Sequence, residues 1–114
     1  MSDKYTQITT GISAQLAKMR KEIPETMAGF SALAQAASKD GALDKKTKEL
    51  IAISLAVANQ CPGCIGFHSQ TLVKLQTSRQ ELLETLSMAI YMGGGPSLMY
   101  AAEALEAFEE FSKS

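Results

Sequence analysis

The chain has 114 residues, 46% apolar, 20% charged and 6% aromatic, with a formal net charge of −1. Near-neutral charge, with lysines and glutamates scattered, leaves no basic stripe for nucleic acid, and the longest apolar run, the nine residues 50–58, falls far short of the ~20 that cross a bilayer. At this length one domain over residues 1–114 is expected, able to enclose a core but small enough that self-association would help cover it. Residues 1–20 mix polar and apolar positions rather than joining a charged start to an apolar run, so the expected compartment is the cytoplasm.

In chain order, Ile8, Ile12, Leu16 and Met19 recur at three and four residues, the spacing of one helix face. Pro24 interrupts, and Met27, Phe30, Leu33 and Ala34 mark a second amphipathic helix ending by Asp40-Gly41. Asp44 is placed to cap a third helix that runs to about Gln60. Residues 50–58 of that helix are apolar on nearly all sides, which predicts the most buried element. Pro62 suits the first turn of a fourth helix reaching about Gln76. Ser78 and Glu81 form a capping box for the fifth, which passes Leu82, Leu86, Ala89 and Ile90 before Gly93-Gly94-Gly95 stops it. No Lys-Ser/Thr follows those glycines and no strand precedes them, so they read as a tight turn rather than a phosphate loop. Pro96 opens a last helix with Leu98, Ala101, Ala102, Leu105, Phe108 and Phe111 on its apolar side. No alternating run reads as a strand: the expected fold class is all-α, about six helices.

The chemistry-bearing residues gather in one place. Both cysteines and the only histidine lie within eight residues, Cys61-Pro62-Gly63-Cys64-Ile65-Gly66-Phe67-His68. Two thiols at this spacing can close a disulfide ring and reopen it, and an imidazole one turn beyond the second thiol can carry the proton each step needs. A zinc site would need more typical ligands than Cys61, Cys64, His68 and a borrowed carboxylate supply. Haem attachment wants histidine where Ile65 stands. Inert buried thiols remain a further reading, which accounts for either cysteine alone but not for both beside the histidine. At a helix start, unpaired amides and the macrodipole favour a thiolate. Cys64, Ile65, His68, Leu72 and Leu75 share one helical face, which predicts that Cys64 and His68 point inward together. That shared face gives Cys64 the shortest route to a base, which favours Cys64 as nucleophile and Cys61 as resolving thiol. Glu49 has Ala52, Ile53 and Ala56 on its own face and is expected to be partly buried, with His68 as the available partner.

Glu49, Cys61, Cys64 and His68 reproduce the E-x11-C-x2-C-x3-H pattern of AhpD-like alkylhydroperoxidases, within the carboxymuconolactone decarboxylase superfamily. The stretch Leu43-Asp44-Lys45-Lys46-Thr47-Lys48-Glu49-Leu50-Ile51 resembles that family's opening segment, and Met92-Gly93-Gly94-Gly95-Pro96 resembles its glycine turn; the likeness covers about residues 23–110. The resemblance implies Cys64 as attacking thiol, Cys61 as resolving thiol, His68 as proton carrier and Glu49 as the carboxylate that polarises it. It implies a hydroperoxide substrate, an external dithiol reductant such as a lipoyl group or a thioredoxin-like protein, no cofactor or metal, and a homo-oligomer, a trimer or a hexamer built from three dimers. One departure is Gly63, where some members carry a second histidine. Two other functions stay open beside the peroxidase: a decarboxylase-type enzyme that does without the thiols, and a redox-sensing or zinc-holding module without turnover.

Overall fold

A computed structural model describes residues 3–113. Six helices and no strand form among these residues: α1 (Lys4–Glu22), α2 (Pro24–Ser38), α3 (Lys45–Ala58), α4 (Pro62–Lys74), α5 (Arg79–Gly93) and α6 (Gly95–Ser112). The expected all-α frame and all six elements are present, with α3 and α4 each ending two residues before the expected Gln60 and Gln76.

Local chemistry sets these boundaries. The Asp44 carboxylate accepts the Thr47 N–H at 2.7 Å and satisfies an orphan donor of α3. Ser78 and Glu81 complete the capping box of α5, Ser78 Oγ accepting from Glu81 N at 3.0 Å and the Glu81 carboxylate from Ser78 N at 2.9 Å. Both early helix ends are closed by glutamines in the left-handed region, Gln60 at φ 54° and Gln76 at φ 59°. The N–H of Gln60 turns back to the Val57 carbonyl at 3.2 Å and that of Cys61 to the Ala56 carbonyl at 3.1 Å, the paired closure of a Schellman motif. This tight end of α3 delivers Cys61 directly to the start of α4. Only the middle residue of the triple glycine needs its missing side chain for backbone reasons: Gly94, at φ 74° and ψ −152°, joins α5 to α6 in a region nearly closed to other residues.

Helix α4 packs on α1, α3 and α6, and α6 packs on α1, α3, α4 and α5. Ile53, Val57, Ile65, Leu72, Leu82, Leu86, Ala104 and Phe108 lie in the core between them. Helix α1 crosses α4 so closely that a Cβ on Gly66 would sit 2.8 Å from Thr9 Cγ2, and one on Gly63 would sit 2.7 Å from Ile12 Cδ1. The start of α1 is anchored to α6. The Glu110 carboxylate accepts the N–H groups of Tyr5 at 3.1 Å and Thr6 at 2.8 Å and the Thr6 hydroxyl at 2.7 Å, and the buried Tyr5 phenol donates to Glu103 at 2.8 Å.

Three expectations about faces are corrected. Helix α3 is not apolar-buried all round: Ile53, Ala56 and Val57 face the core, but Ile51 and Leu55 are exposed. The larger buried face belongs to α6, where Ala101, Ala104 and Ala107 leave room for α4 to approach. Helix α2 buries no residue, because it touches only α1 and α3, and Phe30 and Leu33 stand exposed. On α4 the inward residues are Ile65, Gly66, Ser69 and Leu72; Cys64 is exposed and His68 half-buried, one step round the helix from the predicted face.

Candidate active site

Helices α3 and α4 form a hairpin across the link at residues 59–61, so the early turns of α3 lie beside the middle of α4. This brings Glu49 of α3 against His68 of α4, nineteen residues apart in sequence, with Nδ1 and Oε1 2.8 Å apart. The Glu49 carboxylate is largely enclosed, its side chain 9% exposed, whereas the His68 side chain is 36% exposed. A carboxylate removed from water needs a donor, and the imidazole supplies one. With Nδ1 held as donor, the tautomer and ring plane are fixed, and Nε2 remains to exchange a proton with whatever lies beside it.

One turn before His68, Cys61 and Cys64 form a disulfide with Cα atoms 5.3 Å apart. Cys61 is the N-cap of α4, and its Sγ accepts the Cys64 N–H at 3.2 Å. The two sulfurs differ in setting: Cys61 is half-buried beneath the helix end, and Cys64 is exposed. An amide donor and the positive end of α4 both act on Cys61, so a negative charge released on that sulfur is stabilised where it forms.

Glu49 and His68 also line a cleft of about 350 Å³. Phe30, Ala34 and Ala37 of α2 form one wall and Ala52 of α3 another, with Ser38 and Lys48 at one end. The Lys48 ammonium donates to the Lys39 carbonyl at 2.7 Å, which ties the last turn of α2 to α3. Among the described residues no three His, Cys, Asp or Glu side chains converge to hold a metal ion, and no helix is long and apolar enough to cross a membrane.

All four residues singled out from sequence therefore lie at one hairpin: Glu49 and His68 bonded to each other, Cys61 and Cys64 bonded to each other one turn away. The cleft wall from α2 was missed, because Phe30 and Ala34 read as core positions. Their signal was present in the apolar face of α2, but its destination was not. Lys48, next to Glu49, was read only as part of the segment that resembles the family's opening, with no role at the site.

A profile of the carboxymuconolactone decarboxylase family matches residues 24–107, which contain both pairs. The chain belongs to that family. A family member from Legionella pneumophila, solved in its apo form, is 81% identical, with a TM-score of 0.97 over 97% of this chain and 99% of that one. A family member from Thermotoga maritima, suggested to be involved in an antioxidative response, is 26% identical, with a TM-score of 0.82 over 92% of this chain and 90% of that one. An uncharacterised Cupriavidus necator protein is 38% identical over 108 residues, 95% of either chain. In this family setting Gly63 has a local explanation: Ile12 of α1 fills the space a side chain there would need.

Proposed function

We propose that this family member is a thiol-dependent peroxidase that reduces hydroperoxides through the Cys61–Cys64 pair. The observation that carries the reading is the coupling of a disulfide at the start of α4 to a carboxylate–imidazole pair on the same hairpin. From the reduced state, His68 takes the Cys64 proton, and the thiolate attacks the terminal oxygen of the hydroperoxide. The O–O bond breaks, Cys64 becomes a sulfenic acid, and the leaving alkoxide takes the proton from His68 to depart as an alcohol. Cys61 then attacks the Cys64 sulfur, water leaves, and the disulfide closes. Two electrons have passed from the two thiols to the peroxide. An external dithiol attacks the exposed Cys64 sulfur and expels Cys61 as a thiolate, which the Cys64 N–H and the end of α4 receive; its second thiol then attacks its own sulfur in the mixed disulfide, closing the reductant's disulfide and releasing Cys64.

Supporting the choice of Cys64 as the reactive sulfur are its exposure and its place one turn from His68. A dithiol-supplying compartment, the cytoplasm, suits this cycle, with a lipoyl or thioredoxin-like protein as reductant. The exposed Ile51, Leu55, Met88, Tyr91 and Met92 along α3 and α5 favour a homo-oligomer, a trimer or hexamer.

The test is thiol counting on prereduced protein before and after one equivalent of an organic hydroperoxide, followed by peroxide consumption with and without a supplied dithiol. Both thiols should vanish together, and consumption should continue only with the dithiol. Thiols that persist, or consumption that survives replacement of both cysteines by serine, would sink the reading.

A further inference from the structure

The cleft beside Glu49 and His68 is built from two kinds of surface. Phe30, Ala34 and Ala52 give it apolar walls, while Lys48 lines it at the end where its ammonium meets the Lys39 carbonyl. That ammonium has three donors and spends one on the Lys39 carbonyl; no carboxylate lies within ion-pair distance of it among the described residues. Glu49, its neighbour in sequence, is engaged by His68 instead. Lys48 thus keeps hydrogen-bonding capacity and makes no ion pair among the described residues, while the Glu49 carboxylate in the same cleft is turned to His68.

The hairpin sets the direction. Moving along α3 from Lys48 past Glu49 to Ala52 is moving along α4 from beyond His68 toward Cys64, because the two helices run oppositely. From the level of Lys48 to that of Cys64 is about five residues of helix, on the order of 8–10 Å when the back-tilt of the lysine is included. A ligand lying in the cleft with an anionic group at Lys48 would carry a medium-length alkyl body over Ala52 and Phe30 and bring its other end toward the reactive sulfur.

We infer that this cleft is a binding site for a carboxylate-bearing alkyl compound, and that the substrate is accordingly an alkyl hydroperoxide with a carboxylate at its far end. The identification of the substrate rests on the peroxidase reading; the binding site does not. Lys48 is a positioning and specificity residue here. It touches the remote carboxylate and takes no part in the chemistry at Cys64. The competing role, a tether that merely fastens α2 to α3, makes a different prediction. Loss of a tether would loosen the whole cleft, and loss of an anchor would erase only the preference for a charged ligand.

The experiment measures binding of octanoate and of octanol to the full-length disulfide form by calorimetry and by amide chemical-shift titration, with no turnover required. Octanoate should bind tighter than octanol by roughly two- to fivefold, the size of one partly shielded ion pair, with shifts centred on Phe30, Ala34, Ala52 and His68. The preference should shrink as ionic strength rises. Lys48→Met should remove it while octanol binds as before, and Ala34→Phe, which fills the cleft, should weaken both ligands. Equal binding of the two in the parent protein, a preference that survives Lys48→Met, shifts elsewhere, or a Lys48→Met variant that loses octanol as well would overturn the site. The salt series on the parent protein decides the matter even if a variant fails to fold. Octanoate binding alongside thiols inert to peroxide would leave the site standing and remove the peroxidase.

Discussion

Glu49→Gln separates the two things that a buried carboxylate can do. The parent side chain is 9% exposed and meets His68 Nδ1 at 2.8 Å. Glutamine keeps the volume and can still offer its carbonyl oxygen to the same N–H, but the bond is no longer charge-assisted, a loss of about 1 kcal/mol. Against this, an ion that was costly to remove from water has gone, which offsets a similar amount. The exposed side of His68 softens both effects, so stability should move by no more than about 1 kcal/mol. The rate should behave otherwise. Without the carboxylate the imidazole loses the group that fixes its tautomer and ring plane, and oxidation of Cys64 should slow by roughly 10²–10⁴-fold, or about 3–5 kcal/mol of barrier. Stopped-flow oxidation of the prereduced variant by an organic hydroperoxide gives the first number, and urea unfolding gives the second. A variant that folds as the parent does and is oxidised within about threefold of the parent rate would refute a working Glu49–His68 pair; the threshold is set well below the range typical of acid–base groups.

Cys61→Ser should still be oxidised by peroxide and leave a sulfenic acid on Cys64 that a dimedone-type probe traps, while Cys64→Ser should lose that first step; mass spectrometry of the labelled peptide distinguishes them. Gly94→Ala should cost about 1–3 kcal/mol in denaturant unfolding, because φ 74° with ψ −152° is strained for any side chain. Glu110→Gln should cost about 1 kcal/mol at neutral pH through loss of the cap on α1. Burial pulls the Glu110 pKa upward, but the donors of Thr6 and Tyr5 outweigh it and hold the group below its ordinary 4.5. A lowered folded-state value means that the stabilisation is complete above 4.5 and fades as the pH falls through the folded-state value. Parent and Glu110→Gln should therefore converge as the pH falls through the folded-state value, and a gap unchanged from neutral pH into strong acid would contradict the cap. Light scattering of the 12.2 kDa chain at micromolar concentration should return a multiple of that mass.

How much of this was legible in sequence divides along a physical line. Helix ends were readable because their causes are local: Asp44, Ser78 with Glu81, and Gly94 act on amides and dihedrals a few residues away. The partnership of Glu49 and His68 was readable because a polar group amid apolar neighbours must find a partner, and one imidazole was available. Facing directions were less so. A period of three and four marks the apolar side of α2, yet nothing in the residues says that α2 touches only α1 and α3 and leaves Phe30 exposed beside the site. The same holds for Ile51 and Leu55, apolar residues on a helix whose neighbours cover only one stripe. On α4, Cys64, His68 and Leu72 lie within one broad arc, and the packing of α1 onto Gly63 and Gly66 turned that arc so that Ile65 and Ser69 point inward. That rotation depends on a contact some fifty residues away in sequence.

The same rotation has a chemical consequence. Had Cys64 and His68 faced the core, the thiol would have been shielded from any external reductant, and desolvation would have disfavoured its thiolate. Close approach of α1 at two glycines, with Ile12 and Thr9 filling the space, instead commits Ile65, Ser69 and Leu72 to the interior. Cys64 is left at the surface, and His68 lies between the surface and the buried Glu49. A side chain at Gly63 would push against Ile12 Cδ1, the tip of a partly exposed side chain that would have to turn aside to admit it. Gly63 thus lets Ile12 of α1 lie against the start of α4, beside the turn that leaves Cys64 open to solvent.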